Sequence, residues 1–93
     1  MSQYPAEIEA ELVMYLKLMM LEFGHEPIQH EDMLAFDKRF LGISINDTLP
    51  EGSIPDVAWR SKLINIQDDP RPWVITEEGY QLIKQYDRET ITS

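Results

Sequence analysis

Residues 73–83 read WVITEEGYQLI, and this stretch decides the fold prediction for the chain. Its first three residues are aromatic or β-branched, which predicts a strand over residues 73–75. Thr76 precedes two glutamates, which is the pattern of a capped helix start, and apolar residues then recur at helical spacing through Tyr86. The C-terminal part of the predicted fold is therefore a strand that runs directly into a capped helix.

A partner for this strand is predicted just upstream. Residues 63–67 have strand character, and the turn-rich segment 68–72, DDPRP, would form the tip of a hairpin. Before it, Ser53 as N-cap and Pro55 just inside predict a third helix that ends between Ser61 and Leu63. At the other end, residues from Glu89 onward are expected to fray as a tail.

Two more helices are predicted in the N-terminal half. The first begins at Pro5 and is stopped by Gly24, and the second covers residues 31–41. Residues 43–52 are expected to be irregular, apart from a short strand that could form at 43–45. The sequence thus predicts one domain over residues 1–93, ordered from about 5 to 88, of a mostly α class with a small β-hairpin (α+β) and the order α-α-α-β-β-α.

This order resembles that of a winged helix-turn-helix domain. The stretch from Trp59 to Ile83 resembles the recognition helix, wing and following helix of MarR-like and PadR-like regulators. The likeness covers residues 54–88 through these motifs and residues 5–41 through helix order alone. The link at residues 42–53 is longer than the three- or four-residue turn of a helix-turn-helix.

The resemblance implies a third helix that enters the major groove of DNA and a basic wing tip. The matching positions are Arg60, Lys62 and Arg71. Three aspartates between residues 54 and 75 balance these bases, and two of them lie next to Arg71, where they would oppose phosphate binding. Solvated charges or local ion pairs are the alternative interpretation of the three basic residues.

The first helix carries apolar residues on two sides. One stripe is expected to face the core: Ile8, Leu12, Tyr15, Leu16, Met19 and Phe23. A second, mostly apolar stripe lies opposite it: Ala10, Val13, Met14, Lys17 and Leu21. Such a helix is either wrapped by the rest of its own domain or shared with another chain. The second interpretation predicts a partner-binding surface that combines this stripe with nearby acids: Glu7, Glu11, Val13, Met14, Lys17, Leu21 and Glu22.

The charge distribution restricts the kind of partner. The chain has a net charge of −9, and from Glu7 to Asp37 eight acids stand against one base, Lys17. A nucleic-acid binder gains affinity from an excess of basic residues on one face, and binding to anionic lipid requires such a face as well. The acidic N-terminal third therefore favours a protein partner with a basic surface.

No catalytic, metal or cofactor site is predicted. The chain has no cysteine, and its two histidines, His25 and His30, are five residues apart with Pro27 between them, unlike a zinc-binding helix. Adjacent acids such as Glu31-Asp32 are interpreted as caps and turns. Trp59 and Trp73 flank the predicted hairpin and are expected to be core or half-buried, whereas an exposed tryptophan would be a natural anchor for a partner.

The chain is expected to be a soluble protein of the cytoplasm. The first seven residues, MSQYPAE, contain one acid, Glu7, and no base, whereas the start of a secretion signal would be basic. The longest apolar run, residues 12–21, contains Lys17 and is about half the length needed to span a bilayer.

Two functional hypotheses follow. The first is a non-enzymatic interaction module on a winged-helix-like scaffold, which binds a basic, nucleic-acid-handling protein and modulates or inhibits it. In this respect the small acidic chain resembles phage-type inhibitors and DNA mimics. The alternative is a winged-helix transcriptional regulator that dimerises through its first helix and binds DNA through Arg60, Lys62 and Arg71.

Overall fold

A computed structural model describes residues 4–44, 46–66 and 72–92, with side chains described up to Arg88. The elements follow one another as α1 (Ala6–Phe23), α2 (His30–Leu41), α3 (Ile54–Arg60), β1 (Ile64–Ile66), β2 (Trp73–Ile75) and α4 (Glu77–Thr92). The predicted class, mostly helical with a two-stranded antiparallel hairpin, is confirmed, and so is the predicted order of elements.

The helix ends follow the local sequence signals. α1 begins after Pro5, and Gly24, with φ 68°, ends it by donating its N–H to the carbonyl of Met20 at 2.7 Å. α2 ends at Gly42, whose φ of 70° is the left-handed conformation that glycine adopts without strain. α3 is shorter than predicted and ends at Arg60, and the chain then turns through Lys62 at φ 62° into β1.

Ser53 occupies the N-cap position of α3, but its hydroxyl makes no capping hydrogen bond and is buried with no partner within the part of the chain that the structure describes. In contrast, Thr76 caps α4, because its Oγ1 accepts the N–H of Gly79 at 3.2 Å while the hydroxyl donates to the carbonyl of Lys62. α4 continues to Thr92, past Glu89, the residue at which a frayed tail is predicted to begin.

The hairpin pairs Ile64 with Ile75 and Ile66 with Trp73. Trp73 also forms an antiparallel bridge with Ile28, from the link between α1 and α2, through N–H···O bonds of 2.8 and 2.6 Å. Residues 67–71, which include most of the predicted tip, lie outside the described residues, as does residue 45. Ile43 and Ser44, where a short strand could form, are not in a strand.

The core is built around α1, which packs against both α3 and α4. The predicted core stripe is confirmed: four of its residues are buried in the core cluster and the other two, Ile8 and Phe23, pack against that cluster as partly buried residues. α2 adds aromatic contacts, since the ring of Tyr15 lies 5.6 Å from that of Phe36 and 5.1 Å from that of Phe40, centroid to centroid.

Among the helices that the structure describes, none is long and apolar enough to cross a membrane.

Candidate functional site

The exposed side of α1 carries three large apolar residues. Met14, Leu18 and Leu21 have 57%, 39% and 83% of their surface exposed. They follow an i, i+4, i+7 spacing, so they form one stripe along the helix. We call this stripe, together with the charged residues that border it, the α1 face: Glu7, Glu11, Met14, Lys17, Leu18, Leu21 and Glu22.

The prediction that Val13 belongs to this surface is wrong. Val13 is 2% exposed and is part of the core. Because α1 packs against α3 and α4 at the same time, its buried arc is wider than a single stripe. Leu18 belongs to this surface although it is not among the predicted residues, and its spacing from Met14 and Leu21 is the signal that could have identified it.

Two ion pairs connect charged residues at the edges of the α1 face to neighbouring helices. Lys17 Nζ lies 2.5 Å from Asp87 Oδ1 on α4, and Arg39 Nη2 from α2 lies 2.6 Å from Glu22 Oε2. Glu7 and Glu11 are exposed and form no ion pair within the part of the chain that the structure describes. The charge that this face offers to a partner is therefore negative and lies toward the N-terminal end of α1.

A shallow groove of about 410 Å³ runs from the α1 face toward α2. Leu18 and Leu21 line one side of it, and Phe36 and Phe40 contribute from α2. The apolar stripe thus continues into a concave surface instead of ending at the edge of one helix.

Two of the acidic side chains between Glu7 and Asp37 are buried and do not contribute to the acidic surface. Glu9 and Asp37 are 6% and 7% exposed, and Oε1 of Glu9 is buried with no hydrogen-bond partner among the described residues. The other acids of this stretch are exposed. The acidic surface predicted from the sequence is therefore present but weaker than the residue count indicates.

Of the residues predicted to contact DNA, Arg60 is engaged in ion pairs with acidic neighbours. Arg60 Nε lies 3.0 Å from Asp56 Oδ2, and Arg60 Nη2 lies 3.5 Å from Glu51 Oε1. A hydrogen bond from the backbone N–H of Gly52, followed by the contact with Arg60, lowers the pKa of Asp56 and keeps this carboxylate charged. Lys62 is exposed, and Arg71 lies outside the described residues.

A second concave site lies between α2, α3, the preceding loop and the hairpin. It has a volume of about 130 Å³, and we call it the tryptophan pocket because both tryptophans of the chain line it. Trp73 is half-buried, as predicted, whereas Trp59 is 51% exposed, so the burial expected for Trp59 is wrong. The remaining lining residues are His30, Met33, Leu34, Asp37, Leu49, Pro50, Pro55, Asp56 and Ile64.

Asp37 is the buried charged group of this pocket. The hydroxyl of Tyr15 donates to its Oδ1 at 2.5 Å. Burial raises the pKa of Asp37 to about 6, although the hydrogen bond from Tyr15 and the proximity of His30 act in the opposite direction. Burial, and then the negative charge of Asp37, raise the pKa of the Tyr15 hydroxyl far above its ordinary value. At neutral pH the pair is thus a neutral phenol that donates to an ionised carboxylate.

Trp73 is held in place by His30. The indole Nε1–H donates to His30 Nδ1 at 3.2 Å, and the two rings stack with their planes 23° apart. An accepting Nδ1 leaves the proton of a neutral imidazole on Nε2. The indole of Trp73 is therefore a fixed wall of the pocket, whereas Trp59 stands at its exposed rim.

The two histidines do not converge on a metal site. His25 Nδ1 lies 3.1 Å from the hydroxyl of Tyr80, and His30 is engaged with Trp73. Within the described ranges, no group of three histidine, cysteine, aspartate or glutamate side chains is placed to hold a metal ion.

Comparison of the chain with protein-family models, with curated proteins and with solved structures finds no match.

Proposed function

We propose that this chain is a non-enzymatic protein-interaction module that binds a partner with a basic surface through the α1 face. The observation that carries the proposal is the exposed apolar stripe of Met14, Leu18 and Leu21, which continues into the groove beside α2. Exposed apolar side chains that form a contiguous patch are the feature that marks interaction sites on small proteins.

The two parts of the α1 face would contribute differently to binding. Burial of the apolar stripe would supply affinity, because the removal of apolar surface from water is favourable. Glu7 and Glu11 are exposed at the other end of the helix and would attract a cationic surface, which mainly raises the association rate and the selectivity.

A symmetric pairing of two copies of this chain through α1 is less favourable than a hetero-complex. A two-fold arrangement centred on the apolar stripe would bring acidic residues of both copies to the same interface, and Lys17 is already paired with Asp87. A partner with a basic surface meets no such repulsion. We therefore expect the free protein to be a monomer of 10.9 kDa in light scattering.

The class of partner follows from the charge. Proteins that handle nucleic acids carry basic surfaces for phosphate, so an acidic module that covers such a surface would modulate or inhibit its partner. The order of elements and the Thr76 cap support a winged-helix-like scaffold for this module. Such a partner class implies that the module acts in the cytoplasm.

The proposal is tested by capturing partners from a cell lysate on the immobilised chain, followed by calorimetric titration of each purified partner. Met14→Ser/Leu21→Ser should weaken binding at least tenfold. Glu7→Gln/Glu11→Gln should slow association, with a reduced dependence on salt. Glu77→Gln/Glu78→Gln removes the same number of charges from the first turn of α4 and serves as the matched control.

Two outcomes would contradict the proposal. One is a partner whose affinity does not respond to any change on the α1 face. The other is binding of labelled duplex DNA at micromolar concentration in ~50 mM salt that weakens steeply with salt and is lost in Arg60→Ala. The second result, with a dimer in light scattering, would establish the alternative function as a DNA-binding regulator.

A further inference from the structure

The lining of the tryptophan pocket has the chemistry of a cation site. Trp59 and Trp73 provide two indole rings, and Asp37 and Asp56 provide two carboxylates, whereas no lysine or arginine is among its lining residues in the described part of the chain. Indole faces attract an ammonium or guanidinium group, and the attraction grows when water is excluded.

The two carboxylates are not equivalent. Asp56 accepts hydrogen bonds from Gly52 and Arg60, so its charge is already compensated. Asp37 accepts a hydrogen bond from Tyr15, a neutral donor that leaves the negative charge in place. Asp37 is therefore the group with which an entering cation would interact most strongly.

We propose that the tryptophan pocket binds a lysine side chain of the basic partner. That the lysine belongs to the basic partner rests on the proposed function, whereas the affinity of the pocket for a lysine side chain does not depend on that function. The volume of about 130 Å³ is close to the ~150 Å³ of cavities that take up benzene, and a lysine side chain has about as many heavy atoms. Trp59, exposed at the rim, would cover the methylene groups of the lysine.

An apolar side chain fits the pocket less well than a cation. It would remove the remaining water from around Asp37 without compensating the charge of that carboxylate, and burial of an uncompensated charge is unfavourable. The ammonium group of lysine supplies this compensation, and its methylene chain still covers the apolar wall.

The experiment is a titration of the isotope-labelled full chain with Nα-acetyl-lysine methylamide, and in parallel with Nα-acetyl-norleucine methylamide, which has a similar size and no charge. The readout is the pair of indole N–H resonances in a nitrogen–proton correlation spectrum. The chain has two tryptophans, and both line this pocket, so these resonances report on it directly.

We expect the lysine derivative to shift both indole resonances with an affinity at least tenfold higher than that of the norleucine derivative. Asp37→Asn should weaken lysine binding at least fivefold, while Asp47→Asn, at an exposed position outside the pocket, should leave it unchanged. Trp59→Leu should also weaken binding, and because Trp59 is exposed, this variant keeps the test decisive even if Asp37→Asn perturbs the fold.

Three results would overturn the inference: norleucine binding as tight as lysine binding, lysine binding that is unaffected by both pocket variants, or no shift with either compound. Each of these leaves the proposed function intact, because that function is tested separately through Met14, Leu21 and the glutamates of the α1 face. Conversely, lysine binding in the pocket together with an inert α1 face would reject the proposed function alone.

Discussion

The hydroxyl of Tyr15 donates a 2.5 Å hydrogen bond to Asp37, 22 residues away in the sequence, and thereby joins α1 to α2 inside the protein. Both side chains are buried, and the aromatic ring of Tyr15 packs against those of Phe36 and Phe40. This pair places an ionised carboxylate at the wall of the tryptophan pocket, and its energetics can be measured in two ways.

Removal of the donor should be costly. Tyr15→Phe preserves the ring contacts but leaves the carboxylate of Asp37 without its hydrogen bond, so we expect a loss of about 1–3 kcal/mol in the free energy of unfolding at pH 7. Urea denaturation followed by circular dichroism measures this loss. Tyr80→Phe removes an exposed hydroxyl bonded to His25 and should change stability by less than about 0.5 kcal/mol. Equal effects of the two changes would contradict the structural role of the buried pair.

The charge of Asp37 should make stability depend on pH. Its pKa is raised from 3.8 to about 6 in the folded state, so the folded protein binds the proton more tightly than the unfolded chain does. The destabilising effect of ionisation is therefore absent below about pH 4, develops as pH rises through the interval between the two values, and is complete above about pH 6.

Asp37→Asn cannot ionise and can still accept the hydrogen bond from Tyr15. Relative to the native chain it should gain stability between pH 4 and pH 6, by up to about 3 kcal/mol, and the difference should be constant above that interval. Urea midpoints measured at several pH values for both proteins provide the check. A difference between the two proteins that does not vary with pH would show that Asp37 titrates normally.

Val13 is buried and its neighbour Met14 is exposed, so substitutions at the two positions should differ in their effect on stability. Val13→Ser should destabilise the protein by about 2–4 kcal/mol, since it removes a buried side chain and introduces a hydroxyl into the core. Met14→Ser changes an exposed residue and should alter stability by no more than about 0.5 kcal/mol. Thermal unfolding of the two variants side by side tests which of the two residues lies in the core. A larger loss of stability in Met14→Ser than in Val13→Ser would mean that Met14, and not Val13, faces the core.

Glu9 offers a stabilising substitution. One oxygen of this buried carboxylate lacks a hydrogen-bond partner within the described residues, and Glu9→Met replaces the charged group with an apolar one of similar length. We expect an increase of about 1 kcal/mol in the free energy of unfolding. Glu11→Met, on the exposed side of the same helix, is the control and should have little effect. A loss of stability in Glu9→Met would mean that the carboxylate is better satisfied than the structure indicates.

Gly79 sets how closely α4 approaches the hairpin. A Cβ at this position would lie 2.5 Å from the carbonyl oxygen of Leu63 and 2.7 Å from Cγ2 of Ile75. Because one of these atoms belongs to the backbone, Gly79→Ala should cost about 1–3 kcal/mol despite the better helix propensity of alanine. Gln81→Ala on the exposed side of α4 is the control in the same denaturation experiment. An unchanged stability of Gly79→Ala would mean that α4 can move away from β1 without loss.

Local signals in the sequence predicted the elements well. The strand at residues 73–75 has the predicted bounds, Thr76 caps α4, and Gly24 and Gly42 end the first two helices. These features depend on residues close in sequence, where steric and hydrogen-bonding preferences decide the structure.

Features that depend on contacts between distant elements were not predicted. The sequence does not show that Asp37, in an acidic helix, meets Tyr15 of another helix, nor that α1 packs on two sides and buries Val13. The tryptophan pocket forms only where α2, α3, the loop before α3 and the hairpin converge, so no single segment of the sequence indicates it.

Because Trp59 and Trp73 share one pocket, the tryptophan fluorescence of the protein originates from a single corner of the molecule. Emission changes therefore report events at that corner, and a ligand that covers Met14 and Leu21 without disturbing it would leave the emission spectrum unaltered. Unfolding curves from emission and from circular dichroism will coincide only if this corner opens together with the helices, so their comparison measures directly how cooperative the fold is.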